Sequence, residues 1–201
     1  RDLRMSRGLG DVYKRQKLYM ASLEGDADCG GIVAYNYVAG EELTKLNEGR
    51  PLIVRRSNSR FTVNNFIRAH LYSAFATLKI GLEVLAQEGV RVNSIVGHGG
   101  LFKTPGVAQY YLAAACNAPV TCMSMAGEGG PYGMALLTAY MEWQDEGETL
   151  EQYLDKKVFR NAEAITAYPR TPDIKGFQKY MKDFKKCLTV ERAAVSVLPN
   201  M

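Results

Sequence analysis

The sequence predicts an α/β protein with a sheet that is covered by helices on both faces. Two observations indicate this fold class. Short runs rich in β-branched and aromatic residues alternate with longer amphipathic segments, and turns rich in glycine separate the two kinds of segment. The chain of 201 residues, with 47% hydrophobic and 23% charged residues, has the composition of an ordered protein with a substantial core.

The first half of the chain predicts the end of a helix, two strands and one long helix. Apolar residues recur near the 3.6 period along the long segment, and Gly89 follows it as a left-handed cap. At 1.5 Å per residue this helix would be about 40 Å long. The predicted elements are, in order, a helix end at 17–24, strands at 32–38 and 52–54, and the long helix at 62–88.

The second half continues the alternation of strands and helices. Pro131 suits the first turn of a helix, Thr149 suits an N-cap, and Pro169 and Pro172 stop an edge strand. The predicted elements are a strand at 92–97, a helix at 104–117, a strand at 119–123, a helix at 129–143, a short helix from 149, an edge strand at 165–168 and a helix at 173–197. The Met and aromatic stripe of 132–143 is expected to be core.

Residues 1–16 differ from the rest of the chain. They carry five Lys and Arg and two Asp, a net charge of +3, whereas the other 185 residues carry only +1. No helical or strand period is visible there, so we interpret 1–16 as a non-native or disordered tail and 17–201 as the folded part. The net positive charge of the chain is then no sign of a nucleic-acid partner, and we expect none. The alternative is that 1–16 form a basic arm for nucleic acid or membrane.

Cysteine usage and hydropathy narrow the class of protein further. The four cysteines form no CxxC pair and no Cys/His metal spacing, which favours reduced thiols and a cytoplasmic location. No apolar run approaches the roughly 18–20 residues of a membrane span. We therefore expect no membrane association.

Two corners rich in glycine follow the third and fourth predicted strands. The first is Gly97-His98-Gly99-Gly100, and the second is Gly127-Glu128-Gly129-Gly130. Glycine lets the backbone approach a ligand closely, and backbone N–H groups at a helix start favour an anion. Two such corners on one edge would form a cleft for a flat ring and a phosphate tail, although neither matches a dinucleotide fingerprint or a P-loop. Sharp turns without a ligand are the alternative.

Five segments in a fixed order resemble the carboxyl-terminal half of the FGGY family of carbohydrate kinases, and its xylulokinase-like members in particular. The segments are IVAYNYVAGE, NNFIRAHLYSAFATLKIGLEVL, IVGHGGLFKT, NAPV and GEGGPYGMALLTAYM. The resemblance covers residues 17–145. It implies an actin-like ATPase domain of the ribonuclease H-like kind, with a mixed sheet and helices on both faces. It also implies a protein that transfers phosphate from ATP, with Mg²⁺, to a sugar alcohol group.

The resemblance also implies residue roles. Nucleotide contacts are expected at eight positions of the two corners and their helices: Gly97, His98, Gly99, Gly100, Lys103, Gly129, Gly130 and Gly133. Glu41 occupies the place of the family's SGE loop and is expected near the substrate. The catalytic Asp of the family lies in the other kinase domain, so no catalytic residue is expected here and the chain alone is expected to be inactive.

Several alternatives remain open for the substrate, the partners, the function and single residues. A ketopentose such as xylulose is the first choice of substrate, and the other kinase domain and a second copy of the chain are candidate partners. Another actin-like ATPase or an inactive nucleotide-binding module is the alternative function. His98 and Lys103 have the alternatives of a turn histidine and a solvated lysine, while Asp26 and Asp28 could hold Mg²⁺ or only form a turn.

Overall fold

The computed structural model describes residues 8–123 and 129–198. Within these ranges six helices and five strands alternate along the chain. The helices are α1 (Gly8–Ser22), α2 (Val63–Gln87), α3 (Val107–Cys116), α4 (Gly129–Trp143), α5 (Leu150–Tyr153) and α6 (Thr171–Val197). The strands are β1 (Ile32–Tyr35), β2 (Leu52–Arg55), β3 (Ile95–Val96), β4 (Val120–Met123) and β5 (Ala164–Ala167).

The described strands form two small sheets. β1 and β2 are antiparallel, with Ile32 opposite Arg55 and Tyr35 opposite Leu52. In the other sheet the order is β3-β4-β5, with β3 parallel to β4 and β5 antiparallel to it. The prediction of an α/β protein with a mixed sheet is therefore confirmed.

The core joins both sheets through the long helices. All four residues of β1 are buried, so both of its faces are covered, and α2 and α6 pack against it. Helix α6 contributes Phe177, Tyr180 and Phe184, each at most 2% exposed. The Tyr35 hydroxyl donates a hydrogen bond to the carbonyl of Phe184, which ties β1 to the middle of α6. Helix α3 packs on β4, where Val120 is fully buried.

Most element predictions are confirmed, and the differences have local causes. Helix α1 begins at Gly8, so residues 8–16 are helical rather than irregular; whether 1–16 are native stays a prediction. Strand β3 is shorter than 92–97, since among the described residues its pairing with β4 is limited to Ile95 and Val96. Helix α3 begins after Pro105-Gly106, where Gly106 has φ of +83°, and not at 104.

Helix α4 contradicts the prediction of a core stripe. None of its described residues is buried, and Met134, Met141 and Trp143 are 66 to 76% exposed. Its periodicity correctly predicts a helix, but not which surface covers it. Within the described ranges, no helix has an apolar stretch long enough to cross a membrane.

A buried guanidinium connects four helices. Arg68 of α2 is 2% exposed and donates to the carbonyl of Gly25 just after α1, to the Tyr72 hydroxyl and to the Asp173 carboxylate of α6, at 2.7 to 2.9 Å. Its guanidinium carbon also lies 5.0 Å from the ring centre of Tyr111 on α3. Burial raises the pKa of Tyr111 to about 12, so its hydroxyl stays protonated beside this charge. We call this set the Arg68 hub.

Removing the counter-ion of the hub tests its contribution to stability. Asp173→Asn keeps the shape of the side chain but leaves the Arg68 charge buried without its carboxylate, so we expect the free energy of unfolding to fall by about 3 kcal/mol. Urea unfolding followed by circular dichroism measures this. The matched control is Arg170→Gln, which removes an exposed partner of the same carboxylate and should cost less than about 1 kcal/mol. Equal losses in the two variants would contradict the prediction.

Candidate functional site

The two glycine corners lie side by side. β3 and β4 are parallel neighbours, so their carboxyl ends share one edge of the sheet. A Cβ atom placed on Gly129, at the start of α4, would lie 3.2 Å from both Cβ and Nδ1 of His98. The predicted juxtaposition of the corners is therefore present in the structure, while Gly127 and Glu128 lie outside the described residues.

An open cavity of about 400 Å³ lies where the corners meet. This volume falls within the range of small-molecule sites. Its described lining comes from the first corner, the end of β4, one face of α4 and the turn after α5. These residues are His98, Met123, Gly129, Tyr132, Gly133, Leu136 and Phe159.

One face of α4 forms the wall of this cavity. Gly129, Tyr132, Gly133 and Leu136 have the spacing i, i+3, i+4 and i+7, which places them on the same side of a helix. A Cβ atom on Gly133 would meet nothing within 4 Å. The absence of a side chain at Gly133 therefore leaves the middle of the wall open for a ligand.

The first corner needs glycine for two different reasons. Gly99 has φ of +101° and ψ of 179°, a conformation that is essentially restricted to glycine. At Gly97 a Cβ atom would lie 2.5 Å from the Phe102 ring and 2.9 Å from the sulfur of Cys122. Packing alone therefore accounts for Gly97, whereas Gly99 shapes the backbone of the turn and Gly100, whose Cβ position is open, leaves that backbone accessible.

Phe159 and Tyr132 also line the cavity, although no sequence motif indicates them as site residues. Thr149 and Gln152 form a capping box that starts α5, and a single π-helical turn, Leu154–Val158, follows it. The backbone N–H of Phe159 donates to the carbonyl of Leu154 at 2.7 Å and fixes the end of this turn. π-helical turns are frequent at functional sites. In the sequence, Phe159 is marked only by being an aromatic residue in a segment without a motif.

Six of the predicted site residues are absent from the described lining of the cavity. Gly97, Gly99, Gly100 and Gly130 lie beside it in the two corners, whereas Lys103 and Glu41 lie in turns of their own. Lys103 is exposed at the end of the 3₁₀ turn Gly100–Lys103. Glu41 caps its own turn, because Oε1 accepts a hydrogen bond from the backbone N–H of Leu43 at 3.2 Å. The Glu41 loop is held by α6, where Arg192 donates to the carbonyl of Thr44 at 2.8 Å.

Asp26 and Asp28 form a turn held by ion pairs. Asp28 accepts from the backbone N–H of Gly30 at 3.1 Å and pairs with Lys179 of α6. Asp26 pairs with Arg60 and accepts from the side-chain amide of Asn65. In the described part of the chain, no group of three or more His, Cys, Asp or Glu residues is placed to hold a metal ion. The contacts thus agree with the turn-forming alternative.

Comparison with known proteins identifies the family of the chain. The model of the FGGY family of carbohydrate kinases, C-terminal domain, matches residues 4–142. The chain is 26% identical over 163 residues to xylulose kinase of Haemophilus influenzae, a match that covers 81% of this chain and 32% of that protein. The chain belongs to the FGGY family of carbohydrate kinases.

Solved structures show the same fold at low sequence identity. The ligand-bound xylulose kinase of Lactobacillus acidophilus has a TM-score of 0.61 at 18% identity, over 90% of this chain and 35% of that one. Plasmodium falciparum glycerol kinase with ADP has a TM-score of 0.63 at 14% identity, over 92% and 37%. The predicted actin-like ATPase fold is confirmed, and the chain spans about a third of the length of these proteins.

The packing under the first corner gives a stability test. Gly97→Ala forces the Phe102 ring and Cys122 to move, so we expect a loss of about 1–3 kcal/mol in the free energy of unfolding. Gly100→Ala is the matched control, because its Cβ atom meets nothing within 4 Å and its φ is not positive. Chemical denaturation should place the control within about 0.5 kcal/mol of the parent. A neutral Gly97→Ala would show that this corner is not packed as described.

Proposed function

We propose that the chain is the nucleotide-binding half of an ATP-dependent sugar kinase, and that the cavity between His98 and Phe159 holds the base and ribose of ATP. The observation that carries the proposal is an apolar cavity, open at Gly133, at the carboxyl ends of two parallel strands in a member of a kinase family. The structure of Plasmodium falciparum glycerol kinase with ADP has the same fold, which supports a nucleotide as the ligand.

The phosphate tail is proposed to follow the first corner. Gly99 and Gly100 have open Cβ positions, so their backbone is accessible to a ligand. Lys103 lies one 3₁₀ turn further on and adds a positive charge near this end. Gly129 and Gly130 border the other side, where the start of α4 presents backbone N–H groups.

The chemistry of transfer is proposed to come from outside this chain. No acidic side chain is present among the described residues that line the cavity, and no group of three or more His, Cys, Asp or Glu among the described residues is placed to hold a metal ion. Mg²⁺ and the base that accepts the hydroxyl proton would therefore reach the phosphates from the other kinase domain, our proposed partner. Alone, the chain is proposed to bind nucleotide without turnover.

The sugar substrate, the oligomeric state and the cellular location are also proposals. The similarity to a xylulose kinase supports a ketopentose such as xylulose, with Glu41 proposed to stand near it. The exposed apolar residues Met134, Leu137 and Met141 on α4 would suit a second copy of the chain. The four free thiols support a cytoplasmic location.

Filling the cavity tests the nucleotide site. Gly133→Leu adds a side chain where nothing lies within 4 Å, so we expect it to weaken ADP binding at least about tenfold without unfolding the chain. The matched control is Ala135→Leu, an exposed position of the same helix outside the described lining. Isothermal titration calorimetry measures both dissociation constants. Unaltered ADP affinity in Gly133→Leu would place the nucleotide elsewhere.

Turnover by the chain separates the two parts of the proposal. With ATP, Mg²⁺ and xylulose, we expect no sugar phosphate above the background of a reaction without protein, because the base is not in this chain. A coupled assay of ADP formation measures this. Addition of the other kinase domain should restore turnover if the proposal holds. Substantial xylulose phosphorylation by the chain alone would overturn the assignment of the base.

A further inference from the structure

We propose that the cavity recognises the nucleobase by stacking on Phe159 and Tyr132, and therefore accepts different purine nucleotides with little discrimination. The inference rests on the proposed nucleotide function and adds a donor specificity to it. It follows from which side chains line the cavity, and from how the turn that carries Phe159 is held.

The described lining of the cavity offers stacking surfaces but few side chains that could read the edge of a base. Among the described lining residues, His98 and Tyr132 are the ones with polar side-chain atoms. His98 lies against Gly129, at the end of the cavity where the glycine corners meet. A site that hydrogen-bonds its substrate can reject an analogue by about 10⁴-fold or more, whereas an apolar pocket rejects a similar molecule by about 10²-fold or less.

Phe159 and Tyr132 are held by different elements. Tyr132 belongs to the cavity face of α4, and Phe159 ends the π-helical turn that follows the capped helix α5. Both aromatic residues also line a neighbouring cavity of about 360 Å³. The two rings therefore stand at the boundary between the cavities, where a planar base can be placed against an aromatic face.

The neighbouring cavity contains the nearest groups that could read a base edge. Asn161 and Glu163 line it, but the structure leaves both residues exposed. A hydrogen bond to an exposed side chain competes with water and contributes little to discrimination. We therefore expect the exocyclic groups of the base to face solvent on this side.

Titration with purine diphosphates tests the inference on the intact chain. Calorimetry with ADP, IDP and GDP should give dissociation constants within about tenfold of one another. If ADP binds and both other nucleotides bind more than about a thousandfold more weakly, the inference is wrong while the nucleotide function stands. If none of the three binds, the proposed function itself fails.

Variants of Phe159 and Asn161 provide a second test of the inference. Phe159→Ala should weaken all three nucleotides by a similar factor of about ten or more, whereas Phe159→Tyr, which keeps a ring, should restore the affinity. Asn161→Ala is the matched control and should leave the ratio of ADP to IDP affinity unchanged. The stacking inference is overturned if Phe159→Ala binds like the parent, or if Asn161→Ala alters that ratio. Circular dichroism of each variant checks that it folds.

Discussion

The positive charge of Arg68 lies in the interior, and four helices are arranged around the groups that compensate for it. An isolated buried charge is costly, so its carboxylate, hydroxyl and carbonyl partners must all be brought to one place. Asp173 lies in the first turn of α6, Gly25 follows α1 and Tyr72 belongs to α2 itself. The ring of Tyr111 adds a contact from α3. The relative positions of these helices are therefore constrained by one guanidinium.

The cavity depends on this hub through α3. Tyr111 is held from two sides, by the ring of Tyr72 at 5.1 Å and by the hydroxyl of Ser22 at 2.8 Å. Helix α3 lies in sequence between the first glycine corner and β4, so its position determines where both reach the sheet edge. None of the described residues that line the cavity is buried, so the geometry of the cavity depends on packing around it.

The sequence predicted the parts of this arrangement that have a local signal. The 3.6 periodicity of α2 predicted a long helix, and the two glycine runs predicted turns after β3 and β4, because each of these features is encoded within a short stretch. That the two runs border a ligand site stays a prediction. Phe159 has no such signal, since it reaches the cavity only through the turn after α5. The exposure of α4 was also not predictable, because periodicity identifies an apolar face and not the element that covers it.

Residues near the carboxyl end of the chain help to position a cavity that other elements form. Helix α6 lies beyond residues 4–142, which the family model matches, yet it supplies Phe177, Tyr180 and Phe184 to the core and Asp173 to the hub. It also holds the Glu41 loop through Arg192. Because α6 neutralises Arg68 and covers β1, the framework that positions the corners extends past the family motif. The segment from 146 onward thus has two separable parts, a cavity wall at Phe159 and a structural brace in α6.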